Sequence, residues 1–415
     1  MGWLVETPVF LPAMRRVLEV FRVFLVLGCS CFGGPVAHIG HFRRDLVCRR
    51  GWLDEGVFTR LVTLCQFLPG PASSQLGFSI GLLRAGWAGA VAAFLGFTLP
   101  SALVMGTVAV WLDGNRGFMG RGLVHGLKLV ALAVVAHAVW GMARTLRGGW
   151  VRPVIALGTA GVAWTVTAAW LQPVWILAGA GVGFRMCRTA DWEAVPALSL
   201  PHSRRMGLSL GLAGILLGVL LSLLSARGVL WAVGAGFYRA GALVFGGGHV
   251  VLPLLEETVV RPGWVGHDVF LTGYGAAQAV PGPMFTLATF LGVQADRGGV
   301  AGGVVATLAM FLPGMLWVSG ALPWWGAMAT HRGAMRAMAG ATASVVGLLA
   351  AALAGPVWHG AVQGPWDAVV GLLGFAALWW GRIPVLGVVA GCVVAGGLLD
   401  GWMGEGVFQP ADPLP

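Results

Sequence analysis

Laid over itself with a shift of 212 residues, give or take one, this chain repeats its own landmarks. Phe32-Gly33-Gly34 falls on Phe245-Gly246-Gly247, Trp52 on Trp264, and Phe58 on Phe270. Gln66, Pro69, Gly70 and Pro71 fall on Gln278, Pro281, Gly282 and Pro283. Leu99-Pro100 falls on Leu312-Pro313, and Arg121-Gly122 on Arg332-Gly333. Chance does not hold a register over about ninety residues, so the fold has to accept one unit twice. The unit covers 16–186 and again 229–399. Residues 1–15 precede it and 400–415 follow it. A polar, basic stretch and one further apolar run occupy 187–228.

The solvent for this unit is lipid. Apolar residues make up 57% of the chain and charged residues 10%, against about 25% charged in soluble domains. Apolar runs at 17–32, 87–112, 127–140, 154–170, 207–224, 300–315, 341–354, 368–380 and 383–399 approach or reach the roughly 20 residues that cross a hydrocarbon core. Trp52, Trp87, Trp111, Trp150 and Trp264 stand at run ends, where a membrane interface favours them. A β-barrel would show short alternating segments instead. The sequence therefore predicts an all-α, polytopic helical membrane protein with the bilayer as its principal partner. The net charge of +10 sits at run ends and implies no nucleic acid. The six cysteines are scattered without a CxxC pair, which implies no metal site and no cofactor. The arginines before 17–32 imitate a signal peptide, but the same segment recurs at 233–248, so it belongs to the fold.

Charge orients the two copies. Arg144, Arg147 and Arg152 mark a loop of the first copy, and the matching stretch 355–367 has no base. Arg43, Arg44, Arg49 and Arg50 follow the first Gly-Gly break, whereas Glu256, Glu257 and a single Arg261 follow the second. The copies are thus expected to be inverted, with the run at 207–224 turning the chain over. Inverted repeats are a mark of secondary transporters. The N-terminus and the linker are placed in the cytoplasm and the C-terminus outside. About nine crossings are expected if the breaks are re-entrant, and about thirteen if each segment spans.

Each copy carries a pair of breaks: Gly33-Gly34-Pro35 with Pro69-Gly70-Pro71, and Gly246-Gly247-Gly248 with Pro281-Gly282-Pro283. In lipid, a broken helix is tolerated only where protein or a cavity covers it. The segments 54–68 and 72–83 read as half-helices meeting at such a break. A half-helix that starts there points free N–H groups and a positive dipole end inward. Pro35 and Pro71 suit its first turn. Ser73, Ser74 and Gln75 beyond Pro71, and Thr286 beyond Pro283, are neutral donors for an oxyanion. His38, His41 and His249 could add donors or a switchable charge. Arg43 and Arg44 could recruit an anion at the entrance. Lys128 inside an apolar run, flanked by His125 and His137, is a coupling candidate. Simpler roles stay open for each. Ser and Thr often bond a backbone carbonyl, Arg sets topology, His41 suits the interface, and Lys128 could snorkel. No HExxH motif, carboxylate pair, nucleophile motif or dinucleotide fingerprint suggests an enzyme.

With those residues in view, FGGPVAHIGHF, QFLPGPASSQLGFSIG and GLLRAGWAGA resemble the first domain of the chromate ion transporter family. FGGGHVVLPLLEE with QAVPGP resembles its second. The resemblance covers nearly the whole chain, in the family's long two-domain form. It implies an inner-membrane exporter of chromate, a tetrahedral dianion like sulfate, drawing on the proton or membrane potential. Sulfate, another oxyanion or an anion channel of the same fold stay as alternatives, and a homodimer is left open. The family's motif positions fall on Phe32, Gly33, Gly34, Pro35, His38, Gln66, Pro69, Gly70, Pro71, Phe245, Gly246, Gly247, Gly248, His249, Gln278, Pro281, Gly282 and Pro283. Gly248 replaces Pro35, His38 has no matching His, and the second loop is acidic. The first copy is therefore expected to supply more of the anion contacts.

Overall fold

The computed structural model describes residues 10–32, 34–114, 121–147, 149–165, 171–187, 202–244, 251–295, 298–325, 332–381 and 383–404. Gly33, Gly246, Gly247, Gly248 and His249 lie outside them. The described residues contain helices and no strand. The first copy runs through α1 (Phe10–Ser30), α2 (Gly34–Phe42), α3 (Glu55–Phe67), α4 (Ala72–Gly114), α5 (Arg121–Ala143), α6 (Val151–Thr165) and α7 (Gln172–Met186). α8 (Arg204–Leu224) stands between the copies. The second runs through α9 (Val229–Leu243), α10 (Val251–Leu255), α11 (His267–Ala279), α12 (Leu287–Gln294), α13 (Gly299–Ala321), α14 (Arg332–Ala352), α15 (Trp358–Ala361), α16 (Pro365–Trp380) and α17 (Val385–Gly404).

Five of these segments are long and apolar enough to cross a membrane, namely Ala72–Leu112, Gly122–Ala143, Arg204–Arg227, Gly299–Trp324 and Arg332–Ala361. α8 leaves most of its surface, including Leu216 and Leu223, unburied, as suits a lipid-facing helix. This is a helical membrane protein built from repeats. The half-helices are present. α3 and α11 are 13 residues each, about 20 Å at 1.5 Å per residue and well short of a span. Beyond the first PGP, α4 kinks at Ala85 and Gly86. α2 and α10 each run on into a π-helical turn, Arg43–Arg49 and Glu256–Val260.

The copies interlock. The backbone N–H of Gly70 donates to the carbonyl of Val244 at 2.6 Å, and that of Gly282 donates to Cys31 at 2.8 Å. Each PGP glycine thus caps the first helix of the other copy, as a pseudo-two-fold relation demands. Gly70 packs on Gly314 of α13, while Gly282 packs on Ser101 of α4, the matching position. Both glycines have left-handed φ, +128° and +100°, which a Cβ disfavours. Further out, α5 packs on α16 and α17 of the second copy, and α14 packs on α6 and α7 of the first. Small residues make these crossings close. Gly122 and Gly126 meet Gly397 and Val393, and Gly183 meets Gly340. The repeats thus exchange helices, each packing elements of the other against its own.

One relation breaks the symmetry. α11 packs along α5, with Phe270, Leu271, Tyr274, Ala277 and Gln278 all buried. The matching pair, α3 and α14, makes no comparable contact among the described residues. Thr59 and Gln66 of α3 are exposed and Thr63 is half-buried. Spaced at i, i+4 and i+7, these three form one polar stripe on α3.

Candidate functional site

The site starts from the chain's need to satisfy backbone groups after Pro69-Gly70-Pro71. α4 begins at Ala72, and its first returning bond runs from the Gln75 N–H to the Pro71 carbonyl, at 2.9 Å. Pro71 therefore sits at the cap rather than within the first turn. The N–H groups of Ala72, Ser73 and Ser74 precede that bond and lack intrahelical acceptors. They open inside the protein, where Ser73, Ser74 and Gln75 are almost fully buried. Gln75 holds the break closed, its Nε2 donating to Pro69 O and to Gly314 O, each at 2.9 Å.

α2 brings His38 onto this helix start. His38 is 1% exposed. Its Nδ1 lies 3.4 Å from Ser73 Oγ, and its ring stands edge-on to Phe97 at 5.4 Å. The remaining polar atoms are the informative ones. His38 Nε2, Ser74 Oγ, Gln75 Oε1 and Thr98 Oγ1 are all buried and have no hydrogen-bond partner. Buried polar groups are normally paired, and each orphan is costly. His38 and Ser74 stand at the start of α4 with its three free N–H groups, and Thr98 follows Phe97, on which the His38 ring packs, so these residues can hold a polar ligand. No described Arg or Lys is bonded to them. An anion there would be held by neutral donors and the helix dipole.

The second copy answers differently. Phe285, Leu287 and Leu291 occupy the places of Ser73, Gln75 and Ser79 and are buried. Thr286, the match of Ser74, donates its hydroxyl to Pro283 O at 2.9 Å, the carbonyl-bonding role common for Thr. Gln278 is buried, with Nε2 3.0 Å from Met284 Sδ, whereas Gln66 is exposed. The polar lining therefore belongs to the first copy. Arg43 is ion-paired to Glu55 at 2.6 Å, and Arg50 to Asp45 at 2.8 Å. Arg44 is exposed and His41 half-buried. Lys128 does not snorkel to open water. It is 4% exposed and paired with Asp268 at 2.5 Å. Thr98, Asp268 and Asp367 escaped the sequence reading. Thr98 sits just before Leu99-Pro100, a landmark of the repeat. The two acids are unremarkable until the fold sets them beside α5. Among the described residues no His, Cys, Asp or Glu cluster could hold a metal.

The family model described as "Chromate transporter" matches residues 18–184 and again 231–397. The chain belongs to the chromate transporter family. A chromate transport protein of Pseudomonas aeruginosa is 28% identical over 320 residues, covering 71% of this chain and 70% of that protein. A probable chromate transport protein of Synechococcus elongatus is 28% identical over 299 residues, covering 71% and 73%. A chromate transport protein of Cupriavidus metallidurans is 26% identical over 304 residues, covering 71% of each. No solved structure matches. Family membership and the apolar helices agree on a multi-pass membrane transporter.

Proposed function

We propose that this chain exports chromate across the inner membrane, binding the dianion at the start of α4 among His38, Ser73, Ser74 and Thr98. The unpartnered buried groups that can donate, His38 Nε2 and the Ser74 and Thr98 hydroxyls, carry the reading. A tetrahedral oxyanion offers an acceptor in every direction, which three neutral side-chain donors and the free N–H groups can meet. A fixed positive charge would hold a dianion too tightly for release. The family's named relatives point to chromate as the cargo.

The copies are inverted on this reading, with the basic linker and N-terminus in the cytoplasm. The stripe Thr59, Thr63 and Gln66 then lines an aqueous crevice open to the cytoplasm, since such polar side chains do not suit lipid. The seam between α5 and α11 closes the outer side. The structure is thereby read as an inward-open state, and alternating access moves the opening from the α3–α14 side to the α5–α11 side.

The test is accumulation of radiolabelled chromate in energised inside-out vesicles, with sulfate as competitor and a protonophore control. Protonophore-sensitive accumulation that sulfate competes for is expected. No accumulation by folded, inserted protein would remove chromate and send the search to other oxyanions.

A further inference from the structure

The N-terminal half of α1 carries charges that the oxyanion site does not use. Arg15, Leu18, Glu19, Arg22 and Val26 stand at i, i+3, i+4, i+7 and i+11, on one face of the helix. That face lines a cavity of about 460 Å³, and Arg50, just beyond the π-helical turn after α2, stands on the same wall. Arg22 lies about 10 Å along the axis from Arg15, and Val26 about 6 Å further in. Leu18 and Val26 are exposed, and Val23 beside them is buried. The wall therefore passes from cations at one end to hydrocarbon at the other.

Its cations are open to a ligand. Arg15 and Arg22 are exposed, and among the described residues neither has an acid partner. Glu19 is held by Arg84 at 3.3 Å, and that guanidinium also lies over the Trp52 ring at 5.0 Å. Asp45 accepts only from Nε of Arg50, at 2.8 Å, so the two terminal nitrogens of that fork have no acid partner among the described residues. Three arginines against one glutamate leave the described wall at +2 (3 minus 1). The second copy has no counterpart, because the places of Arg15, Arg22 and Arg50 hold Gly228, Ala235 and Pro262. Topology alone counts positive charge near the end of an apolar run. It asks for neither a cavity nor an apolar floor beneath the charge.

We propose that this cavity binds a phospholipid with an anionic headgroup, its phosphate among Arg15, Arg22 and Arg50 and an acyl chain along Leu18 and Val26. Guanidinium forks meet phosphate oxygens two at a time. The charge-based orientation puts this end of α1 at the cytoplasmic leaflet, whose surface is anionic. The proposal shares that orientation with the functional reading and does not depend on chromate as the cargo. A free oxyanion offers the arginines the same chemistry but leaves the apolar half of the wall unused. A headgroup held by all three arginines ties α1 to the segment that follows α2, and so braces the helix that carries His38.

The full-length protein is melted in detergent at constant ionic strength while dioleoyl phosphatidylglycerol is titrated in. Dioleoyl phosphatidylcholine is the parallel arm, and excess glycerol phosphate is the competitor. A ligand that binds only the native state raises the midpoint as it fills its site. Phosphatidylglycerol should raise it saturably and phosphatidylcholine should not. Glycerol phosphate should leave the half-saturating lipid concentration unchanged. In Arg15→Gln/Arg22→Gln that concentration should rise by about tenfold or more. Arg144→Gln/Arg147→Gln removes the same charge from an exposed loop and should change it by less than about twofold. Equal responses to the two lipids, or equal losses in the two double variants, would overturn the proposal. Displacement of the lipid by glycerol phosphate would overturn it too, by giving the arginines to a free anion. If Arg15→Gln/Arg22→Gln fails to elute as a single species, Arg15→Lys/Arg22→Lys decides. It keeps the charge that topology needs and loses the forks, so it should weaken the lipid by about threefold or more; an unchanged value overturns the proposal. A negative chromate assay leaves this result standing.

Discussion

Replacing Gly70 by Ala tests the interlock directly. Gly70 has φ +128°, so a Cβ costs about 1–3 kcal/mol in backbone strain. That Cβ would lie 2.7 Å from Gly314 Cα and 2.7 Å from Gln75 Nε2. The first neighbour is backbone and cannot turn aside, and the second bridges Pro69 and Gly314. Overpacking of this kind costs about 1–3 kcal/mol more. With an unfolding entropy of about 2.1 cal/mol/K per residue, a total of about 2–6 kcal/mol lowers the melting midpoint by about 2–7 °C. Gly282→Ala should lose less. Its φ is +100°, but the nearest atom, at 2.9 Å, is Ser101 Oγ, which can rotate. Gly40→Ala is the control, with nothing within 4 Å of its Cβ and a helical position where Ala gains up to about 1 kcal/mol. Melting in detergent at one scan rate, followed by loss of the monodisperse chromatographic peak, ranks the three. A Gly70→Ala midpoint level with that of Gly40→Ala would refute the packing argument.

Ser74→Ala removes a hydroxyl that has no protein partner. It should weaken equilibrium binding of radiolabelled chromate by about 10–100-fold, the worth of a hydrogen bond to a charged group, at an unchanged melting midpoint. Thr286→Ala breaks only a local bond to Pro283 and should change the same binding by less than about threefold. Asp367→Ala leaves the N–H groups of Gln363 and Gly364 without an acceptor and should melt below Asp367→Asn, a difference of about 1–3 kcal/mol. Gly275→Val drives a side chain into the Leu127 carbonyl and should destabilise the protein by at least about 1–3 kcal/mol, read as a lower melting midpoint. Arg43→Ala breaks an ion pair in which both partners are more than half exposed, and its melting midpoint should match the parent's.

The sequence was most legible where chemistry is local. Gly and Pro mark breaks wherever they stand, and the half-helices on either side of each PGP lie where the spacing put them. Lys128 was visible as an ion inside an apolar run. Its partner Asp268 was not, since only the fold brings positions 140 residues apart (268 minus 128) together. The exchange of α5 and α14 between copies left no mark either, because small residues on a helix face do not name their partner. Least legible was the difference between Gln66 and Gln278. They occupy the same place in the same motif, yet one is exposed and the other buried. That contrast comes from what packs on each half-helix, α5 on α11 and nothing comparable on α3 among the described residues, and a motif does not encode its neighbour.

The reciprocal bonds between Gly70 and Val244, and between Gly282 and Cys31, impose an order on biosynthesis. The first PGP leaves the ribosome with no acceptor for the Gly70 N–H until about 170 further residues have been made, roughly 10–35 s at ordinary elongation rates. Through that interval α1 also ends without the donor that Gly282 will supply. The first half must therefore wait in the bilayer as an unfinished unit, shielded by lipid, water or the insertion machinery, and it becomes native only when the second half threads in against it.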